Sequence, residues 1–412
     1  MDAQTQWTGF ETGRLDRIGD HLRRNYIDSG KVAGCQVLVA RHGHLAYQQS
    51  FGLRDRERAT PWSDDTVVRL YSMTKPITSI ALMMLYERGL FQLNDPVSRY
   101  IPGWGEHQVW VSGRGAEMDT VPPNRPISFR DLLSHQAGLT YGMILNRLTG
   151  AEAGHPVDEV YDQQDIWRGE NETLDTFVAK LGKVPLRYQP GERWQYSLAT
   201  DVCGYLVQAI SGKRFDRFLA EEIFEPLGIK DTAFWVRPEN ADRFAACYQR
   251  EADKSLSLAD DPRTSNYLKE PSYLGGGGGL VGTIADYHRF CEMLRRGGEL
   301  DGARIVSPRT IDLMKMNHLA GGGDLHSLAY GAFSESAYEG VGFGLGFAST
   351  LDQVRTQSLG IGDFYWGGAA STIFWVDHAE DLCVVFLTQL LPSSTFNFRG
   401  QLKSIIYGAI AE

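Results

Sequence analysis

Apolar positions at helical and strand spacing divide the chain into segments. Residues 12–28 carry Leu15, Ile18, Leu22 and Tyr26 at helical intervals, which predicts an amphipathic helix. Residues 34–52 predict two strands around a tight turn at His42-Gly43-His44. The alternation of such segments indicates a folded chain that contains both helices and strands.

The segment around residues 72–89 predicts a central, buried helix. Ile77, Ile80, Ala81, Met84 and Leu85 follow helical spacing, and nearly every side of this helix is apolar. Ser72 occupies the expected N-cap position, and Gly89 occupies the expected C-terminal stop.

The middle and the end of the chain differ in pattern. Between residues 94 and 267 strand signals are sparse, and we expect helices at 128–136, 173–182, 199–211 and 215–224. Another helix is expected near 284–296, and antiparallel strands return after residue 341, the last two turning at Asp377–Asp381. We therefore predict an α/β domain built from both termini, 1–93 and 268–412, and an inserted, mostly helical domain, 94–267. The active site is expected in the cleft between the two domains.

Composition narrows the classes of function. The chain has 412 residues, 42% of them hydrophobic, and a formal net charge of -10, with no basic patch of the kind that nucleic-acid binders carry. No apolar run approaches the roughly 18 to 20 residues needed to span a membrane, and the N-terminus has no signal-peptide pattern. Five widely spaced cysteines without a C-x-x-C fit free thiols in a reducing compartment. We expect a cytoplasmic protein without nucleic-acid or membrane partners; the oligomeric state is left open.

The strongest chemical signal is Ser72-Met73-Thr74-Lys75, the one serine in the chain with a lysine three residues later. Residues i and i+3 share a helical face, so the Lys75 ammonium can reach the Ser72 hydroxyl. The helix N-terminus adds backbone N–H groups and a positive dipole, which suit a serine nucleophile and its oxyanion. On its own the motif also fits a capping serine beside a solvated lysine.

Two further segments strengthen the catalytic interpretation. Tyr196 follows the Pro190-Gly191 turn and directly precedes a helix, where a phenol can project into a cleft. Phe364-Tyr365-Trp366-Gly367-Gly368-Ala369 leads into a strand, and its two glycines permit a ligand or another backbone to approach closely. Taken alone, Tyr196 is equally consistent with a half-buried aromatic, and the glycine pair with a bulge.

In this order, these segments resemble the serine β-lactamase and penicillin-binding-protein superfamily, and within it the family VIII carboxylesterases, which look like class C β-lactamases. The resemblance covers nearly the whole chain. The matching segments are YSMTKPIT at 71–78, DLLSHQAGLTYG at 131–142, QYSLATDV at 195–202, EEIFEPLGIKDTAFW at 221–235, GGGGGLVGTIADYHRF at 275–290 and WGGAAST at 366–372.

The resemblance implies a β-lactamase/transpeptidase-like fold, an antiparallel sheet flanked by helices beside a second, mostly helical domain. It implies Ser72 as the acylated nucleophile, Lys75 and Tyr196 as the general base pair, and the backbone N–H groups of Ser72 and Ala369 as the oxyanion hole. Which of Lys75 and Tyr196 takes the proton stays open, because burial and neighbouring charge can alter both pKa values. No metal or cofactor is implied.

Two departures from the β-lactamase pattern bear on the substrate. Trp366-Gly367-Gly368 stands where β-lactamases have Lys-Thr-Gly, so an apolar wall replaces the charge that receives the β-lactam carboxylate, and we expect these three residues to contact substrate. Leu198 replaces an asparagine two residues after Tyr196. We therefore expect a serine carboxylesterase for small, short-acyl esters with weak β-lactam hydrolysis at most.

Several other functions remain as alternatives. They are an acyltransferase on the same fold, a β-lactamase or D-amino-acid peptidase, and a binding protein that has lost turnover. The chain lacks G-x-S-x-G, H-E-x-x-H and a phosphate loop. His42 and His44 are expected in solvent, His135 as a structural histidine, and the glycine run 275–279 as a tight turn between the two domains.

Overall fold

The computed structural model describes residues 7–142, 154–166, 171–329 and 339–411. Its largest element is an eight-stranded, antiparallel sheet with the spatial order β4-β5-β6-β7-β8-β1-β2-β3. The strands are β1 Gly34–Arg41, β2 His44–Asp55, β3 Thr60–Pro61, β4 Val341–Phe343, β5 Ala348–Thr350, β6 Phe364–Gly367, β7 Ile373–Asp377 and β8 Leu382–Thr388. The predicted antiparallel sheet is confirmed.

The first and last thirds of the chain meet in the middle of this sheet. Strand β1 pairs with β8, so that Cys35 lies opposite Thr388 and Arg41 opposite Leu382. The predicted turn between β1 and β2 is confirmed: His42 and Gly43 both have positive φ, at 56° and 76°, as a two-residue type I′ hairpin requires. All eight residues of β1 are buried, because helices cover both faces of the sheet.

The α-helices of five or more residues that the structure describes are numbered in chain order. They are α1 Arg17–Leu22, α2 Thr74–Glu87, α3 Phe129–Leu133, α4 Pro156–Gln163, α5 Leu174–Leu181, α6 Ala199–Ser211, α7 Phe215–Leu219, α8 Ile284–Arg295, α9 Pro308–Lys315 and α10 Phe398–Tyr407. The predicted helices near 173–182, 199–211 and 284–296 are confirmed. The predicted helix at 12–28 is present in three pieces, Thr12–Leu15, α1 and a π turn at Arg23–Ile27.

Helices α8 and α10 cover opposite faces of the sheet. Neighbouring residues of a strand point to opposite faces. In β7, Phe374 packs against Tyr287 of α8 with ring centroids 5.1 Å apart. Asp377 lies three residues further along β7 and therefore points to the other face. It accepts a hydrogen bond from Tyr407 of α10 at 2.7 Å. The two helices therefore enclose the central strands between them.

Helix α2 is the predicted buried helix, and it packs against α6. Residues 74–85 of α2 are all buried, and Gly89 has φ +73° just beyond its end, as expected. The predicted N-cap at Ser72 is wrong. Tyr71 has φ +46° and opens a 3₁₀ turn, Tyr71–Met73, so the α-helix begins two residues later, at Thr74.

The middle of the chain contains helices, and it also contains strands that the sequence did not predict. Two hairpins occur there, Val109–Ser112 with Asp119–Val121 and Cys247–Arg250 with Leu256–Asp260. The predicted helix at 128–136 is shorter than expected, because α3 ends at Leu133, two residues before His135 with φ +54°. The predicted helix at 215–224 is present as α7 and a π turn at Ala220–Phe224. The division of the chain into two domains stays a prediction.

The remaining elements are short. Over the described residues, none of the helices combines the length and the hydropathy needed to cross a membrane. All five cysteines are buried free thiols, as the sequence predicts. The short strands are Val68–Arg69, paired with Val281–Gly282, the hairpin Glu299–Leu300 with Ala303–Arg304, and Leu390–Leu391, which lies parallel to Cys247–Arg250. Single-turn helices lie at Leu325–Leu328 and Gln353–Thr356.

Candidate active site

Ser72 lies on the 3₁₀ turn that leads into α2. The positive φ of Tyr71 is costly for a residue with a side chain, and it turns the chain so that the half-buried Ser72 faces a cavity rather than capping the helix. The Ser72 hydroxyl therefore stands at the N-terminal end of a buried helix and is accessible from that cavity.

Lys75 lies one turn further along α2, and its side chain is buried, with 1% exposure. Its Nζ donates to Ser72 Oγ at 3.2 Å, to the Tyr141 hydroxyl at 2.8 Å and to the Gly277 carbonyl at 2.5 Å. An ammonium group has three protons to donate, and these three acceptors match them. The predicted proximity of Lys75 to Ser72 is confirmed.

Tyr196 lies in the loop before α6, as predicted, and its side chain reaches Ser72. Its hydroxyl donates to Ser72 Oγ at 2.6 Å. Lys75 Nζ lies 4.6 Å from the centroid of the Tyr196 ring. The structure thus places a phenol and an amine against the same serine oxygen, although 124 residues separate Tyr196 from Ser72.

The segment after β6 lies directly beside the Ser72 turn. Gly368 packs against the Leu70 carbonyl so closely that a Cβ atom there would overlap the carbonyl oxygen. The Gly368 N–H donates to the Thr372 carbonyl at 2.7 Å, which fixes the turn that carries Ala369. Ser72 and Ala369 line the same cavity. The pairing of their backbone N–H groups in an oxyanion hole stays a prediction.

The Trp366 side chain packs against the ring of Tyr196. Its buried ring lies with its centroid 5.4 Å from that of Tyr196 and 5.3 Å from that of Phe343. Gly367 pairs with Ile373 inside the sheet. Among the described residues, the lining of the cavity does not include Trp366, Gly367 or Gly368. Their contact with substrate stays a prediction, and the observed role of Trp366 is to pack against Tyr196.

The cavity in front of Ser72 has a volume of about 480 Å³. Six of its seventeen described lining residues are aromatic, which favours apolar substrate groups. Its described lining residues are Tyr71, Ser72, Tyr141, Tyr196, Asp201, Phe234, Asn266, Tyr267, Lys269, Pro271, Tyr273, Gly275, Gly277, Gly278, Gly279, Ala369 and Leu391.

Sequence reasoning missed two partners of Lys75. Tyr141 is the penultimate residue of the DLLSHQAGLTYG segment. Burial raises the pKa of its phenol well above the ordinary value, so this hydroxyl stays neutral. Gly277 belongs to the glycine run 275–279, which was expected only to form a turn. Tyr141 and Gly277 both lie in segments that carry the family resemblance, but no spacing rule connects either residue to Lys75.

His135 is buried beside Tyr196, with ring centroids 5.1 Å apart. One ring nitrogen lies 3.2 Å from Ser197 Oγ. Burial lowers the pKa of this imidazole well below its ordinary value, and the charge of Lys75 acts in the same direction. A neutral imidazole that packs behind Tyr196 agrees with the predicted structural role.

The histidines do not bring metal ligands to this cavity. His42 and His44 are exposed, as predicted. In the described parts of the chain, one group with metal-ligating atoms close together comprises His288, Glu292 and Cys383, and it lies outside the cavity lining. Arg295 donates to both carboxylate oxygens of that Glu292, at 2.8 to 3.1 Å.

Comparison with known proteins finds relatives that include an esterase and a hydrolase of known structure. Esterase EstB of Burkholderia gladioli is 30% identical over 396 residues, which cover 91% of this chain and 89% of the esterase. An uncharacterised protein of Mycobacterium tuberculosis (strain CDC 1551 / Oshkosh) is 32% identical over 373 residues, 90% of this chain and 88% of that protein. The solved structure of EstCE1, described as a hydrolase with promiscuous acyltransferase activity, has a TM-score of 0.78 and 28% identity, covering 96% of this chain and 99% of EstCE1.

These relatives confirm the predicted β-lactamase/transpeptidase-like fold and the resemblance to family VIII esterases on that fold. The family model described as Beta-lactamase matches residues 20–403, which include Ser72, Lys75, Tyr196 and Ala369. The match extends over nearly the whole chain, and so the chain belongs to the Beta-lactamase family.

Proposed function

We propose that the protein is a serine carboxylesterase that hydrolyses small, short-acyl esters through an acyl-enzyme on Ser72. The observation that carries this proposal is the convergence of Tyr196 OH and Lys75 Nζ on Ser72 Oγ, at 2.6 and 3.2 Å. A serine hydroxyl needs a base within hydrogen-bond reach to react near neutral pH, and here two candidate groups meet that condition.

The proposed reaction has two halves. The Lys75–Tyr196 pair accepts the Ser72 proton as Oγ attacks the ester carbonyl carbon, and the N–H groups of Ser72 and Ala369 stabilise the oxyanion. The carbon–oxygen bond to the alcohol then breaks, and the same pair returns the proton to the leaving oxygen. Water repeats the sequence on the acyl-enzyme, which releases the carboxylic acid and restores Ser72. No step requires a metal or a cofactor.

The cavity and two positions outside its described lining support a neutral ester as substrate. Six of the seventeen described lining residues are aromatic, and Trp366, which packs against Tyr196, stands where β-lactamases carry a lysine. Leu198, which replaces the asparagine of the β-lactamases, is buried and offers no amide. We therefore propose at most weak β-lactam hydrolysis and disfavour the D-amino-acid peptidase alternative.

The test compares p-nitrophenyl acetate, butyrate and octanoate with the chromogenic cephalosporin nitrocefin, using wild type and Ser72→Ala. We expect rapid hydrolysis of the short esters, faint nitrocefin hydrolysis, and loss of both in Ser72→Ala. Ser79→Ala is the matched control, because Ser79 is a buried serine of the same helix that lies outside the cavity lining. This control should retain ester turnover.

Three results would contradict the proposal. Ester turnover that survives in Ser72→Ala places the nucleophile elsewhere. Nitrocefin hydrolysis faster than ester hydrolysis assigns the site to β-lactams. If no substrate is turned over and a fluorophosphonate does not label Ser72, the protein is a binding protein that keeps the cleft without the chemistry.

An acyltransferase is the second candidate function. A cavity of about 480 Å³ has room for an acceptor alcohol beside a short acyl group, and the similar EstCE1 is described as having promiscuous acyltransferase activity. The test is to add butanol to the p-nitrophenyl butyrate assay and to quantify butyl butyrate and butyrate. A transferase gives mainly the butyl ester at low alcohol concentration, whereas an esterase gives mainly the acid.

A further inference from the structure

Asp201 is a buried acid in the cavity wall to which the proposed reaction assigns no role. It lies in the first turn of α6, five residues after Tyr196, with 2% exposure. Its Oδ1 accepts hydrogen bonds from the Gly277 N–H at 3.1 Å and from the Tyr273 hydroxyl at 2.9 Å. Two donors on one oxygen fit an ionised carboxylate, which can only accept.

Gly277 connects this carboxylate to Lys75. The N–H of Gly277 donates to Asp201, and the carbonyl of the same residue accepts from Lys75 Nζ at 2.5 Å. The backbone passes so close to Asp201 that a Cβ on Gly277 would overlap Asp201 Oδ2. Asp201 therefore fixes the position of the Gly277 backbone, and the carbonyl of Gly277 in turn accepts the hydrogen bond from Lys75 Nζ.

When both groups are ionised, the two side chains carry opposite charges in a buried site. An isolated ammonium is expensive to bury, and an opposite charge nearby offsets part of that cost. Burial raises the pKa of the Asp201 carboxyl, while the charge of Lys75 and the two hydrogen bonds act to lower it. The interaction is mutual, so the carboxylate favours the charged form of Lys75.

We propose that Asp201 is a positioning residue of the Ser72 site, which aims the Lys75 amine through Gly277 and whose negative charge sets the pH at which that amine gains or loses its proton. This inference rests on the proposed function, because it assigns a role to Asp201 in the same chemistry. Asp201 itself does not touch Ser72.

The other titratable groups around the pair are uncharged near neutral pH or are paired elsewhere. Burial raises the pKa of Tyr141, Tyr273 and the Cys203 thiol and lowers that of His135. Glu172 faces Tyr273 and accepts from Lys180 at 2.5 Å. The titratable groups next to Asp201 or Lys75 are His135, Tyr141, Tyr196, Cys203 and Tyr273, and Glu172 lies beyond Tyr273.

The test is the pH profile of kcat/KM for p-nitrophenyl butyrate in wild type and Asp201→Asn. Asparagine keeps the shape and an acceptor for the Gly277 N–H but removes the charge. We expect the limb of the profile that reports Lys75 to move to lower pH by roughly one to two units. If neutral Lys75 is the base, the acidic limb moves; if Lys75 must be charged beside a tyrosinate, the basic limb moves.

Asp286→Asn is the matched control. Asp286 is also buried, and burial also raises the pKa of its carboxyl; it accepts from the backbone N–H groups of Lys230 and Asp231 at 3.0 and 2.7 Å, outside the cavity lining. This control should lose thermal stability and keep the wild-type profile. A profile of Asp201→Asn that coincides with wild type after scaling would overturn the proposal and leave Asp201 a purely structural role.

Two additions separate this inference from the proposed function and from misfolding. The rate at which a fluorophosphonate labels Ser72 is measured over the same pH range, because labelling needs no ester turnover. Labelling without ester hydrolysis refutes the esterase proposal, while the pH shift of labelling still tests Asp201. If Asp201→Asn does not fold, Asp201→Glu keeps the charge, and its profile should stay at the wild-type pH with a lower rate; a displaced profile contradicts the inference.

Discussion

At the residue scale, the Ser72 hydroxyl is held by two groups, and the phenol of Tyr196 is the nearer of them, at 2.6 Å. We predict that Tyr196→Phe lowers kcat for p-nitrophenyl butyrate by about 10²- to 10⁴-fold, because it removes one member of the proposed general base pair. The ring keeps its contacts with Trp366 and His135, so thermal stability should change little.

The control for this prediction is Tyr205→Phe, a half-buried tyrosine on α6 that lies outside the cavity lining. It loses the same hydroxyl and should keep its turnover. Equal rates for Tyr196→Phe and wild type would show that Lys75 carries the proton transfers without the phenol.

The sequence could predict the pair Ser72 and Lys75, because the three-residue spacing brings the two side chains within reach and the family resemblance assigns them a shared role. Tyr196 was predictable from its place before a helix together with the family resemblance. The contacts of Tyr141 and Gly277 with Lys75 were not predictable, since they depend on how two distant loops pack on α2. The packing of the Trp366 ring against Tyr196 likewise depends on the tertiary structure, whereas the sequence predicts only that Trp366 forms an apolar wall.

At the scale of elements, the glycine run 275–279 brings backbone atoms to the active site. Gly277 has no room for a side chain beside Asp201, whereas a Cβ on Gly278 would meet nothing nearer than 3.6 Å. We predict that Gly277→Ala lowers kcat/KM at least about 10²-fold, because displacing this carbonyl misplaces the Lys75 amine. Gly278→Ala should lose far less.

Steady-state kinetics and thermal melting of both variants check this prediction. Alanine restricts the unfolded chain equally at the two positions, so any difference between the variants reflects the folded structure. Similar losses in both would mean that the run tolerates no side chain at all and that the Gly277 carbonyl has no special part.

Periodicity predicted the elements well where burial is one-sided or complete, as in α2, α6, β1 and β8. It failed at the start of α2, because the strained Tyr71 is not visible in a pattern of apolar residues. It also missed the hairpin Val109–Ser112 with Asp119–Val121, whose strands are largely exposed and so carry little hydrophobic alternation.

At the scale of the whole molecule, buried neutral histidines make stability depend on pH. Burial lowers the pKa of His107 from 6.5 to about 4. Between about pH 6.5 and pH 4 this imidazole is protonated in the unfolded chain but neutral in the folded chain. The free energy of unfolding therefore decreases as the pH falls through this range. We predict that His107 accounts for a loss of about 2 kcal/mol in the free energy of unfolding between pH 7.5 and pH 5.

Urea unfolding at the two pH values in wild type and His107→Gln measures this effect. The variant should lose correspondingly less stability than wild type over this interval, whatever its stability at pH 7.5. His44→Gln, which removes an exposed imidazole, should behave as wild type does. An equal loss in wild type and His107→Gln would mean that His107 is protonated in the folded protein.

The global architecture was the most predictable level, because strand patterns at both ends and helices between them leave few ways to close one sheet. The observed pairing of β1 with β8 is consistent with that distribution. The boundaries of the two proposed domains remain a prediction, since apolar periodicity does not report which buried faces belong to one core.

The pairing of β1 with β8 has a consequence for synthesis. Strand β1 ends at Arg41, but its neighbour β8 begins only at Leu382. During translation β1 therefore has one partner, β2, and an open edge until residue 388 has been made. A nascent chain therefore carries the Ser72 helix long before it can carry a closed sheet, and a truncation of some thirty residues at the end would remove β8 together with α10.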